Sequence, residues 1–417
     1  MSFITSLTRT WLTRSFRPFT FKNEYDQILP FGECDNLGLY VHIPFCKRIC
    51  NFCPYCKTIY TEELCNQYID ALLQEIHLVG GQYTGKKQVT SLYFGGGTPA
   101  LAANRIKEII DAINEHFIIT EGVGLELHPD NVTVETLQTL KNAGVTKISI
   151  GIQSFREKYQ AILGRKAIDR ATMKAALDAV PFETVSMDFI FALPEQTYED
   201  LTADIDDAFA LGANHIAIYP FIDFTFTESP VAAMPKKEKR ALLDAITQYC
   251  IGKGYYRSSI WTFSNEENAK YSSMTRDNFL GFGCSATSLL KKQFKINTFD
   301  VKSYCERIKK GELATSLTIR FTKRQRMIYW LFWTAYSTRV SEKDFEKFFG
   351  ASLKKMYGFE LWLAKLLGFL KKKDGVYEMT LKGAFYYHYY ENFYTLSYID
   401  KMWGIMRKEA FPEEIKF

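Results

Sequence analysis

The chain has 417 residues, of which 47% are hydrophobic and 24% are charged, and its formal net charge is +5. This length favours two domains, and the composition is ordinary for a globular protein with a large core. The weak positive charge does not indicate nucleic-acid binding, and no apolar run is long enough to span a membrane.

The first segment of the chain is basic. Residues 1–23 contain no Asp or Glu, but they carry Arg9, Arg14 and Arg17 among serine, threonine and aromatic residues. This composition is typical of organellar transit peptides. It also suits a flap whose guanidinium groups pair with substrate carboxylates. A basic segment without a special role is a third interpretation.

The densest cysteine run follows an apolar stretch that predicts a strand, and it contains Cys46, Cys50, Cys53 and Cys56. With no secretion signal ahead of it, such a cluster indicates a metal site rather than disulfides, in a reducing cytoplasm. Three thiolates on one loop can hold three irons of a 4Fe–4S cluster and leave the fourth iron open to another ligand. A zinc knuckle that uses all four thiolates is the alternative.

From residue 39 the sequence alternates between strand and helix patterns. Apolar runs predict six strands, at 39–45, 89–94, 123–128, 145–152, 184–191 and 214–221. Apolar residues at helical spacing predict helices between them, at 64–76, 102–117, 133–142, 169–180 and 197–211. Six such units predict parallel strands with right-handed crossovers, and a site at the carboxyl ends of the strands. The periodicity does not distinguish an open sheet from a barrel.

The pattern changes beyond residue 235. A helix is predicted first, and then strands at 255–263 and 293–299 that close the side of the barrel. Further helices are predicted at 322–336, 341–349 and 352–368, ahead of a turn at 371–375 and a short strand. This order is typical of a small winged-helix-like domain. The domain has no basic face, so a substrate lid or a structural cap is expected rather than a DNA-binding module.

Further candidate site residues follow the predicted strands. The glycines of the GGGTP run at 95–99 are expected to let a ligand approach the backbone and to expose N–H groups. Glu126, Gln153, Arg165 and Asp188 come at or just beyond later strand ends. Each alone could be structural, but polar residues at successive strand ends are typical of a ligand site.

The run YVHIPFCKRICNFC at 40–53, followed by GGGTP, resembles the radical S-adenosylmethionine (SAM) superfamily. More narrowly, it resembles the oxygen-independent coproporphyrinogen III oxidase group, which also contains heme chaperones, heme-opening methyltransferases and class C methyltransferases. The resemblance covers roughly residues 37–300. It implies an α/β fold with a partial TIM-like (β/α)6 barrel, and the order of elements beyond residue 322 predicts the C-terminal helical, winged-helix-like domain. The expected parts are an N-terminal flap, the barrel with its closing extension and the C-terminal domain, at 1–36, 37–310 and 311–417.

The resemblance also implies roles for individual residues. Cys46, Cys50 and Cys53 would ligate the cluster, and the open iron would take the amino and carboxylate groups of SAM. Other positions match cofactor contacts in the family: Tyr40, Phe52, Gly96, Gly97, Thr98, Glu126, Gln153, Arg165, Asp188, Ile222 and Thr287. Several of these serve two SAM molecules in the oxidases, so two are expected here. The sequence assigns no catalytic residue.

Two features bear on which members of the group the chain resembles: the segment 281–288 resembles a GxGxSAxS segment of the oxidases, whereas the position of Cys56 departs from their pattern. The segment 281–288, GFGCSATS, lacks the histidine found in the corresponding loop of heme chaperones, which favours a catalytic member. Cys56 lies outside the register in which the oxidases carry an additional cysteine, which weakens an assignment to the true oxidases.

The resemblance implies a radical SAM oxidoreductase of the coproporphyrinogen dehydrogenase type, acting in porphyrin and heme metabolism. Its expected reaction is oxidative decarboxylation of a tetrapyrrole by way of a 5′-deoxyadenosyl radical. A C-methyltransferase and a non-enzymatic heme chaperone are the alternatives. A cytoplasmic monomer is expected, with flavodoxin or ferredoxin as electron donor and no nucleic-acid partner.

Overall fold

The computed structural model describes residues 3–227, 232, 234–267 and 277–417. Its strands are β1 (Thr20–Lys22), β2 (Leu37–Ile43), β3 (Phe45–Cys46), β4 (Thr58–Ile59), β5 (Lys87–Val89), β6 (Leu92–Gly96), β7 (Phe117–Ile119), β8 (Val123–Leu127), β9 (Lys147–Gln153), β10 (Thr184–Phe191), β11 (His215–Pro220), β12 (Tyr256–Arg257), β13 (Thr262–Ser264), β14 (Asn278–Phe282), β15 (Thr287–Leu290), β16 (Gln293–Asn297), β17 (Thr315–Arg320), β18 (Arg339–Ser341), β19 (Leu370–Lys373), β20 (Val376–Met379) and β21 (Glu414–Lys416).

The helices alternate with the strands over the first half of the chain and predominate in the last quarter. They are α1 (Phe3–Thr13), α2 (Glu62–Gly80), α3 (Ala103–His116), α4 (Val134–Asn142), α5 (Glu157–Ile162), α6 (Arg170–Ala179), α7 (Tyr198–Ala210), α8 (Lys236–Gly252), α9 (Val301–Lys309), α10 (Lys323–Tyr336), α11 (Glu342–Phe349), α12 (Leu353–Leu366), α13 (Leu381–Tyr394) and α14 (Asp400–Met406). A π-helical turn at Thr395–Ile399 joins α13 to α14.

Six parallel strands form the centre of one large sheet. They lie in the order β11-β10-β9-β8-β6-β2, and each pair of neighbours is parallel. Strands β2 and β11 pair with other strands and not with each other, so the barrel is partial. The predicted α/β fold with a partial TIM-like (β/α)6 barrel is therefore confirmed.

The local sequence explains this arrangement. Parallel strands covered on both faces are apolar throughout, and in β10 the residues on both sides of the pleat are mostly buried. Helix α2 begins after Thr61, whose side chain accepts a hydrogen bond from the Leu64 N–H. Its buried face includes Tyr68, Leu72 and Ile76, which recur every fourth residue and pack against the sheet core.

The sheet continues beyond both edges of the six-stranded unit. Strands β13 and β12 follow β11, while β14, β15, β16, β17, β1 and β21 follow β2. The predicted strand at 255–263 is two short strands, because the Arg257 guanidinium donates to the main-chain oxygens of Ser259 and Ile260 in the turn between them. Neither this segment nor β16 joins β2 to β11, so the expectation that they close the barrel is wrong.

The C-terminal quarter builds a second core. Strands β18, β20 and β19 form a small sheet, and helices α10, α11 and α12 pack around Trp330, Phe345 and Tyr357. The three helices are followed by the β19–β20 hairpin, and this order matches the predicted winged-helix-like character. Strands β17 and β21 belong to the large sheet and not to this small module.

No helix in the described part of the chain combines the length and the apolar character needed to cross a bilayer.

Candidate functional site

The carboxyl ends of the parallel strands face a cavity of about 1450 Å³. All the predicted cluster and cofactor residues except Tyr40 line it. Most of them come from the ends of different strands or from the loops that follow, which explains how positions 46 and 287 meet in one place. Asp188 instead lies inside β10, three residues before its end. The structure therefore brings the predicted site together.

The cysteine loop forms one end of this cavity. Cys46 lies in β3, Cys50 and Cys53 lie in the loop that follows, and all three side chains are half-buried. Burial, reinforced by the neighbouring Cys53, raises the pKa of the Cys46 thiol to about 12. The Thr98 hydroxyl opposes this shift by donating a hydrogen bond to the Cys46 sulfur. The loop thus gathers three thiols and a hydroxyl donor at the cavity.

The glycine-rich end of β6 packs directly against the cysteine loop. A Cβ atom on Gly97 would lie 2.6 Å from the Phe45 main-chain oxygen and 2.9 Å from the Cys46 sulfur. Gly96 has a φ of +126°, and a Cβ there would lie 2.8 Å from the His42 ring. Glycine is therefore required at both positions for the two strand ends to approach each other.

The amide groups of this glycine run have partners inside the protein. The Gly96 N–H donates to the Glu126 carboxylate at 3.1 Å. The N–H groups of Gly97 and Thr98 donate to main-chain oxygens within 43–45, at 2.8 and 2.7 Å. The expectation that this run exposes N–H groups to a ligand is wrong at these positions, because the amides hold the loop against the neighbouring strand.

Two half-buried carboxyl groups, those of Glu126 and Asp188, occupy neighbouring parts of the cavity floor. Burial, with the charge of Asp188 as the second cause, raises the pKa of Glu126 to about 7. Burial also raises the pKa of Asp188 to about 6, although the Ser149 and Ser186 hydroxyls donate to it at 2.9 and 3.3 Å. Both groups can therefore accept hydrogen bonds from an ammonium or hydroxyl group, and both change charge close to neutral pH.

Gln153 and Arg165 lie beside these carboxyls. Gln153 ends β9 with a φ of +70°, an unusual conformation for a residue with a side chain and one that concentrates at functional sites. The Arg165 guanidinium donates to the Gly151 main-chain oxygen and lies 5.5 Å from the centre of the Phe52 ring. Its Nε is buried and has no hydrogen-bond partner among the described residues. Arg165 thus retains an unused donor within the cavity wall.

The remaining predicted contacts take three positions. Ile222 follows β11 and Thr287 opens β15, and both line the cavity. Tyr40 lies behind the lining, where its hydroxyl group is 3.0 Å from His42 Nδ1. A Cβ atom on Gly95 would lie 2.9 Å from that hydroxyl oxygen. Tyr40 therefore supports the strand ends from behind the cavity surface.

Cys56 belongs to a different group of residues from the other three loop cysteines. Its sulfur is buried, 4.0 Å from the Cys284 sulfur and 3.2 Å from the Phe299 main-chain oxygen. His42 Nε2 lies 3.0 Å from the Cys56 main-chain oxygen. Sequence analysis did not predict this pairing, because Cys284 is 228 residues away and no local pattern connects the two positions.

This separation argues against the zinc knuckle. A tetrahedral zinc site places its four sulfurs around one ion at bonds of about 2.3 Å, so the sulfurs lie within about 4 Å of one another. Among the described residues, no group of three ligand atoms mutually within 4.8 Å includes the sulfurs of Cys46, Cys50 or Cys53. The ligands of an iron–sulfur cluster are spaced more widely, because each binds a different iron.

Comparison with known families agrees with this geometry. The model of the radical SAM superfamily matches residues 40–208. Residues 40–208 form a radical SAM domain. The predicted resemblance is confirmed, and this family implies a 4Fe–4S cluster and SAM as cofactors.

Curated proteins from the predicted group are similar to the chain. The heme chaperone HemW of Bacillus subtilis is 27% identical over 331 residues, which are 75% of this chain and 87% of HemW. The oxygen-independent coproporphyrinogen III oxidase of Pseudomonas aeruginosa is 25% identical over 67% of each chain. Among solved structures, the coproporphyrinogen III oxidase HemN of Escherichia coli has the same fold. The TM-score is 0.75 at 21% identity, over 88% of this chain and 93% of HemN.

The residues of the radical SAM domain fit both cofactors. Cys46, Cys50 and Cys53 supply three soft sulfur donors on one loop, and all three line the large cavity. The glycines of β6 leave room beside the Cys46 sulfur that any larger residue would fill. The half-buried carboxyl of Glu126 and the unused Nε of Arg165 supply an acceptor and a donor for a polar ligand in the same space. These residues would hold the cluster and SAM.

The N-terminal segment that was expected to form an arginine flap lies outside the radical SAM domain, and it contributes one arginine to the cavity lining. Residues 3–13 form a helix, and Arg9 lines the cavity while donating to the main-chain oxygens of Arg17 and Phe417 at 3.2 and 3.0 Å. Arg14 instead forms an ion pair with Glu360. Of the three arginines, Arg9 alone is part of the cavity lining.

An aromatic wall faces the radical SAM domain across the cavity. It comes from α10, α13, the π-helical turn and α14, and its residues are Tyr329, Phe332, Trp333, Tyr336, Tyr387, Tyr390, Tyr394, Tyr398 and Trp403. Sequence analysis did not identify this wall as part of the site. The available signal was the aromatic density of the segments 329–336 and 386–398, but the partners of such residues cannot be read from composition.

Proposed function

We propose that this chain is a radical SAM enzyme that acts on a carboxylated tetrapyrrole, with oxidative decarboxylation of a coproporphyrinogen propionate as its reaction. One observation carries the proposal: the cysteine loop, the strand-end carboxyls and the aromatic wall line the same cavity of about 1450 Å³. A macrocycle with aromatic faces needs a large apolar wall, and its propionates need cations nearby.

When bound, the cluster and SAM would supply a 5′-deoxyadenosyl radical, formed with one electron from an external donor. Loss of a hydrogen atom to this radical, of CO2, and of one electron to an external acceptor would convert the propionate into a vinyl group. The protein's own residues position the reactants. Glu126 and Asp188 accept hydrogen bonds from the amino or ribose groups of SAM, while the Arg165 guanidinium and Gln153 side chain bind its polar parts. The Phe52 ring lies beside Arg165 and lines the same cavity, and it would pack against the ligand.

Cations at the cavity suit an acidic substrate. Lys47, Arg48 and Lys166 line the cavity near the cysteine loop, and their side chains are exposed. Arg9 lies in the lining contributed by α1. Charge-assisted bonds from such groups to propionates are shorter and stronger than neutral hydrogen bonds. The tetrapyrrole would therefore lie between the basic side chains and the aromatic wall.

A non-enzymatic heme carrier is the second candidate. The 27% identity to HemW over 87% of that chaperone favours it. The segment 281–288 contains no histidine, which supports the enzyme instead. A C-methyltransferase is the third candidate function, since it would use the same cofactors.

Anaerobic turnover distinguishes these functions. The reconstituted protein is supplied with SAM and a reductant, and with coproporphyrinogen III, heme or no tetrapyrrole. Mass spectrometry should detect 5′-deoxyadenosine together with a vinyl product from coproporphyrinogen III. Cys50→Ala should abolish both, whereas Cys65→Ala, at a buried cysteine outside the loop, should retain them. Stable heme binding without 5′-deoxyadenosine would establish the carrier, and a methylated or opened heme would establish the methyltransferase; either result would overturn the decarboxylation.

A further inference from the structure

The outer faces of α1 and α12 carry a continuous row of exposed apolar side chains. Leu366 is 67% exposed, Leu7 is 59% exposed and Trp362 is 56% exposed. We call this row the apolar strip, and its residues are Leu7, Trp11, Phe359, Trp362, Leu363, Leu366 and Leu367. Exposed apolar residues are ordinarily scattered singly over a protein surface, whereas a contiguous set marks a contact surface.

Contacts between rings make the apolar strip continuous across the two helices. The Trp11 and Phe359 ring centres are 6.1 Å apart, and those of Phe359 and Trp362 are 5.8 Å apart. The Trp11 indole N–H donates to Glu360 at 3.1 Å, which fixes α1 beside α12. The apolar strip is therefore one surface.

Helix α12 is apolar on both its inner and its outer sides. Leu353 and Tyr357 are buried on the inner side, and Tyr357 and Leu361 line the cavity. Phe359, Trp362 and the leucines that follow lie on the outer side, at helical spacing. The inner apolar side is covered by the protein, whereas the outer apolar side is exposed, and a contiguous exposed apolar set of this kind marks a contact surface.

The charges around the apolar strip indicate the chemistry of that partner. Residues 353–373 contain one carboxylate, Glu360, which is already paired with Arg14. The same segment contains six lysines, all of them exposed, so the expectation that this domain lacks a basic surface is wrong; they are Lys354, Lys355, Lys365, Lys371, Lys372 and Lys373. Its net charge of +5 equals that of the whole chain, and residues 1–23 add only positive groups. Two such surfaces would repel each other, so a second copy of this chain is a poor occupant.

We propose that the apolar strip is a docking site for an anionic lipid bilayer surface. Tryptophan, phenylalanine and leucine on one face with lysines at its margins is the composition of helices that lie in the membrane interface. Lysines near anionic headgroups add to the affinity, and the tryptophan rings lie at headgroup level. Because the inner faces of α1 and α12 line the cavity, docking places this wall of the cavity beside the headgroups.

Vesicle flotation of the full-length, cluster-loaded protein tests the proposal. Vesicles of mixed phosphatidylglycerol and phosphatidylcholine should bind it, and vesicles of phosphatidylcholine alone should bind it much more weakly. The double variant Trp362→Glu, Leu366→Glu should bind the anionic vesicles at least about tenfold more weakly, because it removes apolar contact and adds negative charge. Lys365→Glu should weaken binding at low salt and lose most of that effect at high salt.

Ile251→Glu is the matched control, since Ile251 is 54% exposed on a different helix, α8. It should leave vesicle binding unchanged. Circular dichroism and the cluster absorption spectrum verify that each variant is folded. Equal flotation of the double variant and the unmodified protein would overturn the proposal, as would equal binding to neutral vesicles. Light scattering that shows a dimer, with no flotation and with loss of the dimer in the double variant, would assign the apolar strip to self-association instead.

Discussion

Replacing Glu126 by Gln tests the electrostatics of the cavity floor. Burial raises the pKa of this carboxyl from its ordinary value of 4.5 to about 7. A raised folded-state pKa means that folding favours the protonated form. The contribution of Glu126 to stability is therefore complete below pH 4.5 and is lost as the pH rises through 7. The difference between the two pKa values corresponds to about 3 kcal/mol.

Glu126→Gln keeps a side-chain oxygen for the Gly96 N–H but cannot ionise. Its free energy of unfolding should exceed that of the unmodified protein by up to about 3 kcal/mol at about pH 8.5, with the gain disappearing as the pH approaches 4.5. The affinity for SAM should fall at least about tenfold, because the ligand loses a charged partner worth about 1.5–3 kcal/mol. The same substitution thus stabilises the fold and weakens ligand binding.

Urea unfolding of the SAM-free protein under anaerobic conditions, at several pH values, measures the first effect, and calorimetry measures the second. Glu409→Gln, at an exposed carboxyl, should change neither quantity. A stability difference that does not vary with pH would refute the reasoning, because it would mean that water solvates the Glu126 carboxylate. A pH-dependent gain with unchanged SAM affinity would restrict Glu126 to a structural role.

Four further outcomes are expected. Replacing Cys46, Cys50 or Cys53 by Ala should remove most of the roughly four irons of the reconstituted protein. Iron analysis and absorption spectra measure this loss. Cys56→Ala should retain the iron, and its loss would contradict the assignment of Cys56 to a separate group. Arg165→Ala should eliminate the weaker of two SAM sites in anaerobic calorimetry, and a single unaffected site would count against two SAM molecules. Gly97→Ala should destabilise the protein by about 1–3 kcal/mol in urea and impair cluster loading, since its Cβ would meet main-chain atoms that cannot move. Arg9→Gln should weaken porphyrin binding in a fluorescence titration without altering the cluster spectrum; equal affinities would eliminate Arg9 as a propionate partner.

The barrel was predictable because its signals are local and periodic. The run at 184–191 is largely apolar and coincides with β10, and the spacing of Leu64, Tyr68, Leu72 and Ile76 places α2 correctly. Parallel strands place their carboxyl ends on one side, so residues as distant as Glu126 and Asp188 could be expected to meet. The resemblance added the identity of the cofactors, which spacing alone does not provide.

The features of the site that the sequence did not predict depend on contacts between distant segments. No local pattern joins Cys56 to Cys284, or places the aromatic residues of α13 across the cavity from the cysteine loop. The sequence predicted that the N–H groups of Gly96 and Gly97 are exposed to a ligand, because a glycine run does not reveal which acceptor lies beside it. The proposed division of the chain at residues 36 and 310 stays a prediction, although β17 and β21 extend the sheet of the central part.

The position of β1 has a consequence for how the chain folds during synthesis. This strand lies between β17 and β21, and Lys22 pairs with both Thr318 and Glu414. Its partners leave the ribosome roughly 300 and 400 residues later, so Phe21 must wait for nearly the whole chain before it is covered. Late closure of such distant pairs is slow, and unpaired strands awaiting it are prone to aggregate. Chaperone protection of the nascent N-terminal segment should therefore increase the yield of folded protein.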